Sequence, residues 1–175
     1  MPVSVVIPAG ASSVSFDIAA IDDFIVDGTQ VVTISAAAAG HVGTSATLNV
    51  TDDDVAGLSI IGGGVLTVDE NGSTQTFGVV LTAAPLTNVV ITVSSGDLTE
   101  AAVAPVMLTF TPANWNVTQL VTLTGVDDFV DDEAQLSIIT ISVNASASNY
   151  AFDSVASRTV TALTLDDDTA GITFT

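Results

Sequence analysis

Asp166-Asp167-Asp168-Thr169-Ala170-Gly171-Ile172 has an earlier counterpart in this chain, Asp52-Asp53-Asp54-Val55-Ala56-Gly57-Leu58. In both segments three aspartates precede a two-residue step and the start of a strand-like sequence. The two triplets are 168 − 54 = 114 residues apart. Self-similarity at a fixed spacing predicts tandem repeats, and here the repeats meet at acidic junctions.

The repetition extends beyond the triplets. Ala20-Ile21-Asp22-Asp23-Phe24 parallels Gly125-Val126-Asp127-Asp128-Phe129. The sequence therefore predicts three parts: the C-terminal half of one repeat in residues 1–54, a complete repeat in 55–168, and the first strand of a following repeat in 169–175.

Apolar and polar residues alternate along most of the chain, which is the pattern of half-buried β-strands. Val14, Phe16 and Ile18 are one example, and Phe77, Val79 and Leu81 are another. Thr, Val and Ile are frequent, and Gly, Pro, Asn and Asp occur at the breaks, so we expect an all-β protein. A repeat of 114 residues with about seven strands is typical of a β-sandwich.

The charge of the chain is strongly one-sided. The sequence has 20 acidic residues, a single arginine (Arg158), no lysine, and a net charge of −19. Such a chain repels nucleic acid and anionic membrane surfaces, so we expect neither as a partner. No apolar run reaches the length of a membrane-spanning helix. Met1 lies directly before strand-like sequence, so we expect any export signal to lie outside this segment.

The absence of cysteine excludes disulfides, thiolate zinc sites and cysteine nucleophiles. Other catalytic arrangements are also poorly matched. His41 is the only histidine, and no serine has a nucleophile-elbow motif around it. The run Gly62-Gly63-Gly64 lacks the lysine of a phosphate-binding loop and indicates a bulge or loose turn. The acidic clusters are poor acid–base pairs for glycoside hydrolysis, so we predict that the protein is not an enzyme.

The aspartates are concentrated rather than spread over a surface. Two like charges about 4 Å apart repel by about 4 kcal/mol at an effective dielectric constant near 20, so each cluster needs a counterion. Calcium suits such clusters, because it takes six to eight oxygen ligands in a flexible shell. Of the 17 aspartates, 13 lie in four clusters: Asp22, Asp23 and Asp27; Asp52, Asp53 and Asp54; Asp127, Asp128, Asp131 and Asp132; and Asp166, Asp167 and Asp168.

Strand directions predict that two of these clusters meet. A strand over Gln135–Val143 leads away from the acidic segment 127–133, and a strand over Arg158–Leu165 returns to end at Asp166. Asp69-Glu70-Asn71 follows the first strand of the same repeat and reaches the same end. Several loops then deliver carboxylates to one end of a sandwich, and this predicts a calcium site there.

These segments resemble the Calx-beta domain, a family found in sodium–calcium exchangers and in repeats of giant bacterial surface proteins. The resemblance lies in Val68-Asp69-Glu70-Asn71-Gly72, Gly125-Val126-Asp127-Asp128 and Leu165-Asp166-Asp167-Asp168. The segment Leu108-Thr109-Phe110-Thr111-Pro112-Ala113-Asn114-Trp115-Asn116 is similar to the bacterial branch. The resemblance implies an immunoglobulin-like, seven-stranded antiparallel β-sandwich with calcium at the end that holds the C-terminus.

The resemblance also implies a ligand set for the complete repeat. Asp97 or Glu100 would supply one further ligand. In the half repeat, Asp22, Asp23, Asp27, Asp52, Asp53 and Asp54 match, but its first loop is missing and its site is incomplete or empty. The implied ligands of the complete repeat are Glu70, Asp127, Asp128, one or more of Asp131, Asp132 and Glu133, and Asp166, Asp167 and Asp168.

We therefore expect a non-catalytic, calcium-binding structural module of an extracellular, cell-surface adhesin-like or matrix protein, in which calcium stiffens the junctions between neighbouring repeats. One alternative is a glycan- or protein-binding module, with Trp115 and Tyr150 as a stacking platform. Another is an accessory domain of an enzyme. The half repeat lacks its early strands, so copies of the chain could also pair by strand complementation into dimers or filaments.

Overall fold

A computed structural model describes residues 4–173 of the chain. Two compact units are present. The smaller contains the chain up to Phe24 and the segment Thr29–Thr51, and the larger contains Ile25–Gly28 together with the chain from Asp52 onward. This division differs from a boundary after Asp54, because a short piece of the first half repeat belongs to the larger unit. The predicted limits of the repeats remain predictions.

In the smaller unit β1 (Gln30–Ala36) and β2 (Thr44–Val50) form an antiparallel hairpin, in which Gln30 is opposite Val50. In the larger unit, Gln135 is opposite Thr164. Gln135 lies 105 residues after Gln30, and Thr164 lies 114 residues after Val50. The two hairpins are therefore equivalent parts of two repeats.

The larger unit is an immunoglobulin-like β-sandwich, as expected. One sheet has the order β4-β11-β10-β6-β8 and the other the order β3-β5-β9-β7. Two short 3₁₀ helices, Ala145–Ala147 and Tyr150–Phe152, connect β10 to β11. The strands are β3 (Leu58–Ile61), β4 (Val65–Asp69), β5 (Thr74–Leu81), β6 (Val89–Ser95), β7 (Ala101–Ala104), β8 (Met107–Phe110), β9 (Gln119–Gly125), β10 (Gln135–Val143) and β11 (Arg158–Leu165).

The described part of this unit has nine strands rather than seven, partly because the opening strand is divided. Gly62 and Gly64 have positive φ angles of 70° and 118°, which glycine adopts at little cost. The chain therefore turns between β3, which pairs with β5, and β4, which pairs in parallel with β11. The triple glycine is the point where one strand passes from one sheet to the other.

The core lies between the two sheets and follows the predicted alternation. Phe77, Val79 and Leu81 of β5 are buried, and Val121 and Leu123 of β9 lie in the same hydrophobic cluster. No helix among residues 4–173 has both the length and the apolar character needed to cross a bilayer.

Two predicted strands are irregular where the structure describes them. Val14, Phe16 and Ile18 lie in irregular chain and are exposed. Their counterpart in the larger unit is β9, which pairs with β5 on one side and β7 on the other. Residues 4–54 contain no equivalents of β5 and β7, so the described residues place no strand beside the alternating segment. Residues 169–173 of the predicted opening strand are also irregular, and 174–175 lie outside the described residues.

Candidate metal centre

Strand pairing brings four acidic segments to one end of the larger unit. Because β4 runs parallel to β11, Asp69 lies beside Leu165, and the next residues are Glu70 and Asp166. β10 begins at this end, so the acidic segment 127–133 that precedes it lies here too. β7 pairs with the end of β9 through Ala101 and Gly125, which places the residue before β7, Glu100, at the same end.

Main-chain hydrogen bonds hold the two glutamates in place. The N–H of Glu70 donates to the carbonyl oxygen of Leu165 (3.1 Å), and the N–H of Val126 donates to the carbonyl oxygen of Glu100 (2.9 Å). The Thr164 hydroxyl donates to the same Glu100 carbonyl (3.2 Å). The two glutamate side chains are therefore presented by backbone that the sheets themselves anchor.

Gly125 allows the strands to approach this closely. A Cβ at this position would lie against the backbone carbonyl of Asp69, far inside van der Waals contact, and within 3.4 Å of the Glu70 nitrogen. No side chain larger than hydrogen fits between the end of β9 and the end of β4. Glycine at this position is therefore part of how the centre is built.

The carboxylates form two overlapping groups. Oxygens of Glu70, Glu100 and Asp132 lie within 4.8 Å of one another, and so do oxygens of Glu70, Asp128 and Asp168. Glu70 belongs to both groups. Its side chain is 1% exposed and that of Glu100 is 6% exposed, so these are buried acids rather than a solvated surface cluster.

Four oxygens of this cluster are buried without a hydrogen-bond partner: Glu70 Oε2, Glu100 Oε2, Asp132 Oδ1 and Asp168 Oδ2. Burying an ionised carboxylate without a partner is strongly unfavourable. No cationic side chain offsets the charge, because Arg158 is the only lysine or arginine in the sequence. Arg158 begins β11 and the cluster follows its end, roughly 23 Å away at about 3.3 Å per residue. The geometry therefore leaves room for a positive ion.

The pKa values reflect this crowding. Burial, followed by the charges of Asp166 and Glu100, raises the pKa of Glu70 from 4.5 to about 7. Burial, followed by the charge of Asp132, raises the pKa of Glu100. Burial and the charge of Asp166 likewise raise the pKa of Asp168. A bound divalent cation would lower these pKa values, because it favours the ionised form of each carboxylate.

Asp166 and Asp128 accept hydrogen bonds from backbone N–H groups of the loops. Asp166 accepts the N–H of Asp168 at Oδ1 (2.8 Å) and that of Glu133 at Oδ2 (3.0 Å). Oδ1 of Asp128 accepts the N–H of Val130 (2.7 Å). Asp128 still offers an oxygen to the second carboxylate group, whereas Asp166 acts mainly in shaping the loops and in raising its neighbours' pKa values.

The other predicted residues of this repeat lie at the same end but outside the two groups. Asp127, Asp131 and Asp167 are exposed, and Oδ2 of Asp131 accepts the N–H of Ala170 (2.7 Å). Between the two residues that the sequence left open, the structure brings Glu100 into the cluster. Asp97 is exposed, and hydrogen bonds from the Thr99 hydroxyl and amide lower its pKa.

The acids of the half repeat are arranged differently. Asp22 and Asp23 are exposed residues of the smaller unit, while Asp27, Asp52, Asp53 and Asp54 belong to the larger one. Within residues 4–173 these six contribute to no group of three converging carboxylates. They have no counterpart of Glu70 or Glu100, because the strands that carry those glutamates are not repeated before residue 55.

Comparisons with known proteins give no sequence family. No family model matches the chain, and no curated protein matches it. Among solved structures, the apo-form Calx CBD1 domain is similar at 18% identity, covering 66% of this chain and 100% of that one, with a TM-score of 0.43. CBD12 from CALX1.2 is similar at 19% identity, covering 62% and 44%, with a TM-score of 0.40.

The Escherichia coli chaperone DraB is also similar, at 11% identity, covering 67% of this chain and 59% of that one, with a TM-score of 0.46. This chain thus spans less than two thirds of DraB and of CBD12.

Proposed function

We propose that the larger unit is a calcium-binding structural module, with calcium held by Glu70, Glu100, Asp128, Asp132 and Asp168. The observation that supports it is the set of four buried carboxylate oxygens that have no hydrogen-bond partner. All of the available ligand atoms are oxygens, which favours a hard cation such as Ca²⁺ over the metals that bind to cysteine and histidine. The Calx-beta resemblance of the sequence points to the same ion.

The two overlapping groups suggest two ions that share Glu70. Each group supplies three carboxylates, which is fewer than the six to eight oxygens that calcium takes, so carbonyl oxygens and water complete each shell. The exposed Asp127, Asp131 and Asp167 add negative potential around the two carboxylate groups and are not direct ligands. In this arrangement a single change at Glu70 weakens both sites.

The wider role is a mechanical one in an extracellular, cell-surface adhesin-like or matrix protein. The module has no cysteine to stabilise it by disulfides, and an ion that binds only the folded state adds stability that grows with the logarithm of its concentration above Kd. Calcium at the end that holds the last strand would fix the chain as it leaves the repeat, and so stiffen the junction with a neighbouring repeat. The protein is then a spacer rather than an enzyme.

Calcium titration of the full chain tests the proposal. Extracellular calcium modules bind with Kd values of about 10⁻⁴–10⁻³ M, and calcium at 100 times Kd stabilises the folded state by about 2.7 kcal/mol. We expect a higher unfolding temperature in 10 mM calcium than in chelator, and heat of binding for two ions per chain. Magnesium at the same concentration controls for ionic strength. An identical midpoint in calcium and in chelator would sink the proposal.

The glycan-binding alternative receives no support from Trp115. Its side chain is partly buried and packs against the hydrophobic core, so part of the indole already contributes to packing within the protein. Tyr150 is 73% exposed, but a single exposed tyrosine is not a stacking platform.

Strand complementation between copies remains a proposal for the smaller unit. It is favoured by the exposure of Val14, Phe16 and Ile18, which alternate as in a strand but lie in irregular chain within the described residues. A second chain could supply the missing neighbour strands. Light scattering at high protein concentration tests this: a mass of 17.6 kDa, that of one chain, at every concentration would argue against it.

A further inference from the structure

A short segment of the first half repeat, Ile25–Gly28, belongs to the larger unit and is seated on its β-sandwich by strand pairing. Ile25 forms a parallel bridge with Ala84, and the N–H of Val26 donates to the Ala84 carbonyl (3.0 Å). The Val26 side chain packs against the hydrophobic cluster. The segment therefore adds backbone hydrogen bonding and apolar burial to the sandwich, which is a recognised mode of binding an extended chain.

This seat lies at the end of the sandwich away from the carboxylates. Ala84 follows the end of β5, whereas the start of β5 pairs with β9 at Thr124, next to Gly125 and the centre. The eight residues of β5 separate the two ends by roughly 23 Å. The seat for the preceding segment and the cation site thus occupy opposite ends of one module.

Asp52 ties the seated segment to the chain that enters β3. Its Oδ2 accepts the N–H groups of Asp27 (2.9 Å) and Gly28 (2.7 Å), and its Oδ1 accepts that of Asp54 (2.9 Å). These bonds lower the pKa of Asp52, so the carboxylate is ionised in this role. The first aspartate of the triplet therefore holds the seated segment in place through its backbone N–H groups.

Residues equivalent to this segment and to Asp52 lie at the other end of the module. Residues 129–133 correspond to residues 24–28 at a spacing of 105, and Asp166 corresponds to Asp52. Asp166 accepts the N–H of Glu133 as Asp52 accepts that of Gly28. Asp131, at the position of Val26, accepts the N–H of Ala170 through its side chain. Here, however, the segment is open: Phe129 is 91% exposed and Val130 is 55% exposed.

We propose that residues 129–133 are a docking segment for a second β-sandwich of this type. The partner offers the carbonyl of its own residue equivalent to Ala84, and the N–H of Asp131 donates to it as that of Val26 does in the seated pair. Val130 then takes the place of Ile25 in the parallel bridge. The pairing of Ile25 with Ala84 within this chain identifies the partner as a second β-sandwich. The proposed contact joins backbone atoms and is separate from calcium binding by the carboxylates.

Cysteine crosslinking in an extended chain tests the docking. Residues 169–175 correspond to 55–61 at the repeat spacing of 114, so a second copy of residues 62–168 added after Thr175 completes a further sandwich. The chain has no cysteine of its own, so any disulfide comes from the introduced pair. The test pair is Val130→Cys with Ala84→Cys in the added copy, and the reference pair is Ile25→Cys with Ala84→Cys in the original copy.

We expect both pairs to form disulfides, in calcium or in chelator. Crosslinking of the reference pair without the test pair under both conditions overturns the docking, and failure of both pairs overturns the seated precedent on which it rests. Hydrogen exchange gives a second reading that needs no cysteine. Amides of residues 129–133 should exchange at least roughly tenfold more slowly in the extended chain than in the original, and equal rates contradict the proposal.

Discussion

Gly28 and Glu133 occupy equivalent positions in the two repeats, 133 − 28 = 105 residues apart, and both have left-handed backbone, with φ angles of 72° and 66°. Each donates its N–H to the first aspartate of the following triplet. This one position thus has left-handed backbone in both repeats, although one sequence places glycine there and the other glutamate. The hydrogen bond to the aspartate, rather than the residue type, is what the two loops share.

Replacing Glu133 by glycine should therefore stabilise the protein. A side chain in left-handed backbone costs roughly 1–2 kcal/mol, which Glu133→Gly removes, less the extra entropy that glycine has in the unfolded chain. We expect a gain of up to about 1 kcal/mol in the free energy of unfolding, measured in chelator. Glu133 also contributes to neither carboxylate group, so calcium affinity should be unchanged. A large loss of affinity would identify Glu133 as a ligand after all.

Glu70→Gln should have opposite effects with and without calcium. In chelator the variant should unfold at a higher temperature than the wild type, because it removes a charge from a buried acidic cluster. In calcium its affinity should fall at least roughly tenfold, since even changes to residues behind a metal ligand cost about 10–100-fold.

Asp167→Asn is the matched control for Glu70→Gln. It also removes one negative charge at this end of the sandwich, but Asp167 is exposed and outside both carboxylate groups. If Asp167→Asn weakened calcium binding as much as Glu70→Gln, the assignment of Glu70 as a shared ligand would be wrong.

The stability of the calcium-free protein should decrease as the pH rises from about 4.5 to about 7. Glu70 has a pKa of about 7 when folded and an ordinary value of 4.5, so between these values the folded state binds more protons than the unfolded state. Stability then falls with pH across this interval. Glu100 and Asp168, whose pKa values are also raised, act in the same direction.

Denaturant unfolding in calcium-free buffer at several pH values measures this dependence. Saturating calcium should reverse its sign, because the ion binds ionised carboxylates and its affinity rises as they lose protons. Glu70→Gln should flatten the calcium-free profile. A calcium-free protein that gains stability through this interval would contradict the assignment of a buried acidic cluster.

Gly125→Ala should destabilise the fold and weaken calcium binding together. The new Cβ would overlap the Asp69 carbonyl, which is sheet backbone and cannot move aside, so a loss of about 1–3 kcal/mol is expected. The displaced strand carries Glu70, so the thermal shift caused by calcium should shrink as well. Gly171→Ala is the control, because a Cβ there has no neighbour closer than 4.0 Å.

The sequence by itself determined the repeat, the β class and the end of the sandwich where the acids meet. Period-two alternation and the glycine breaks depend on local backbone preferences, and strand direction follows from counting, so the strands over Gln135–Val143 and Arg158–Leu165 were predicted correctly. Strand direction brought the segment Asp69-Glu70-Asn71 to this end, and only the Calx-beta resemblance implied Glu70 as the ligand.

Only the tertiary structure decided which acids converge and which strands form. Glu100 rather than Asp97 enters the cluster because β7 pairs with the end of β9, a long-range contact that no local pattern records. Val14, Phe16 and Ile18 have a strand pattern but no strand, because a strand needs neighbours to satisfy its backbone hydrogen bonds. In the same way, Asp52 and Asp166 hold backbone amides, because the loops that reach them are set by the packing of distant strands.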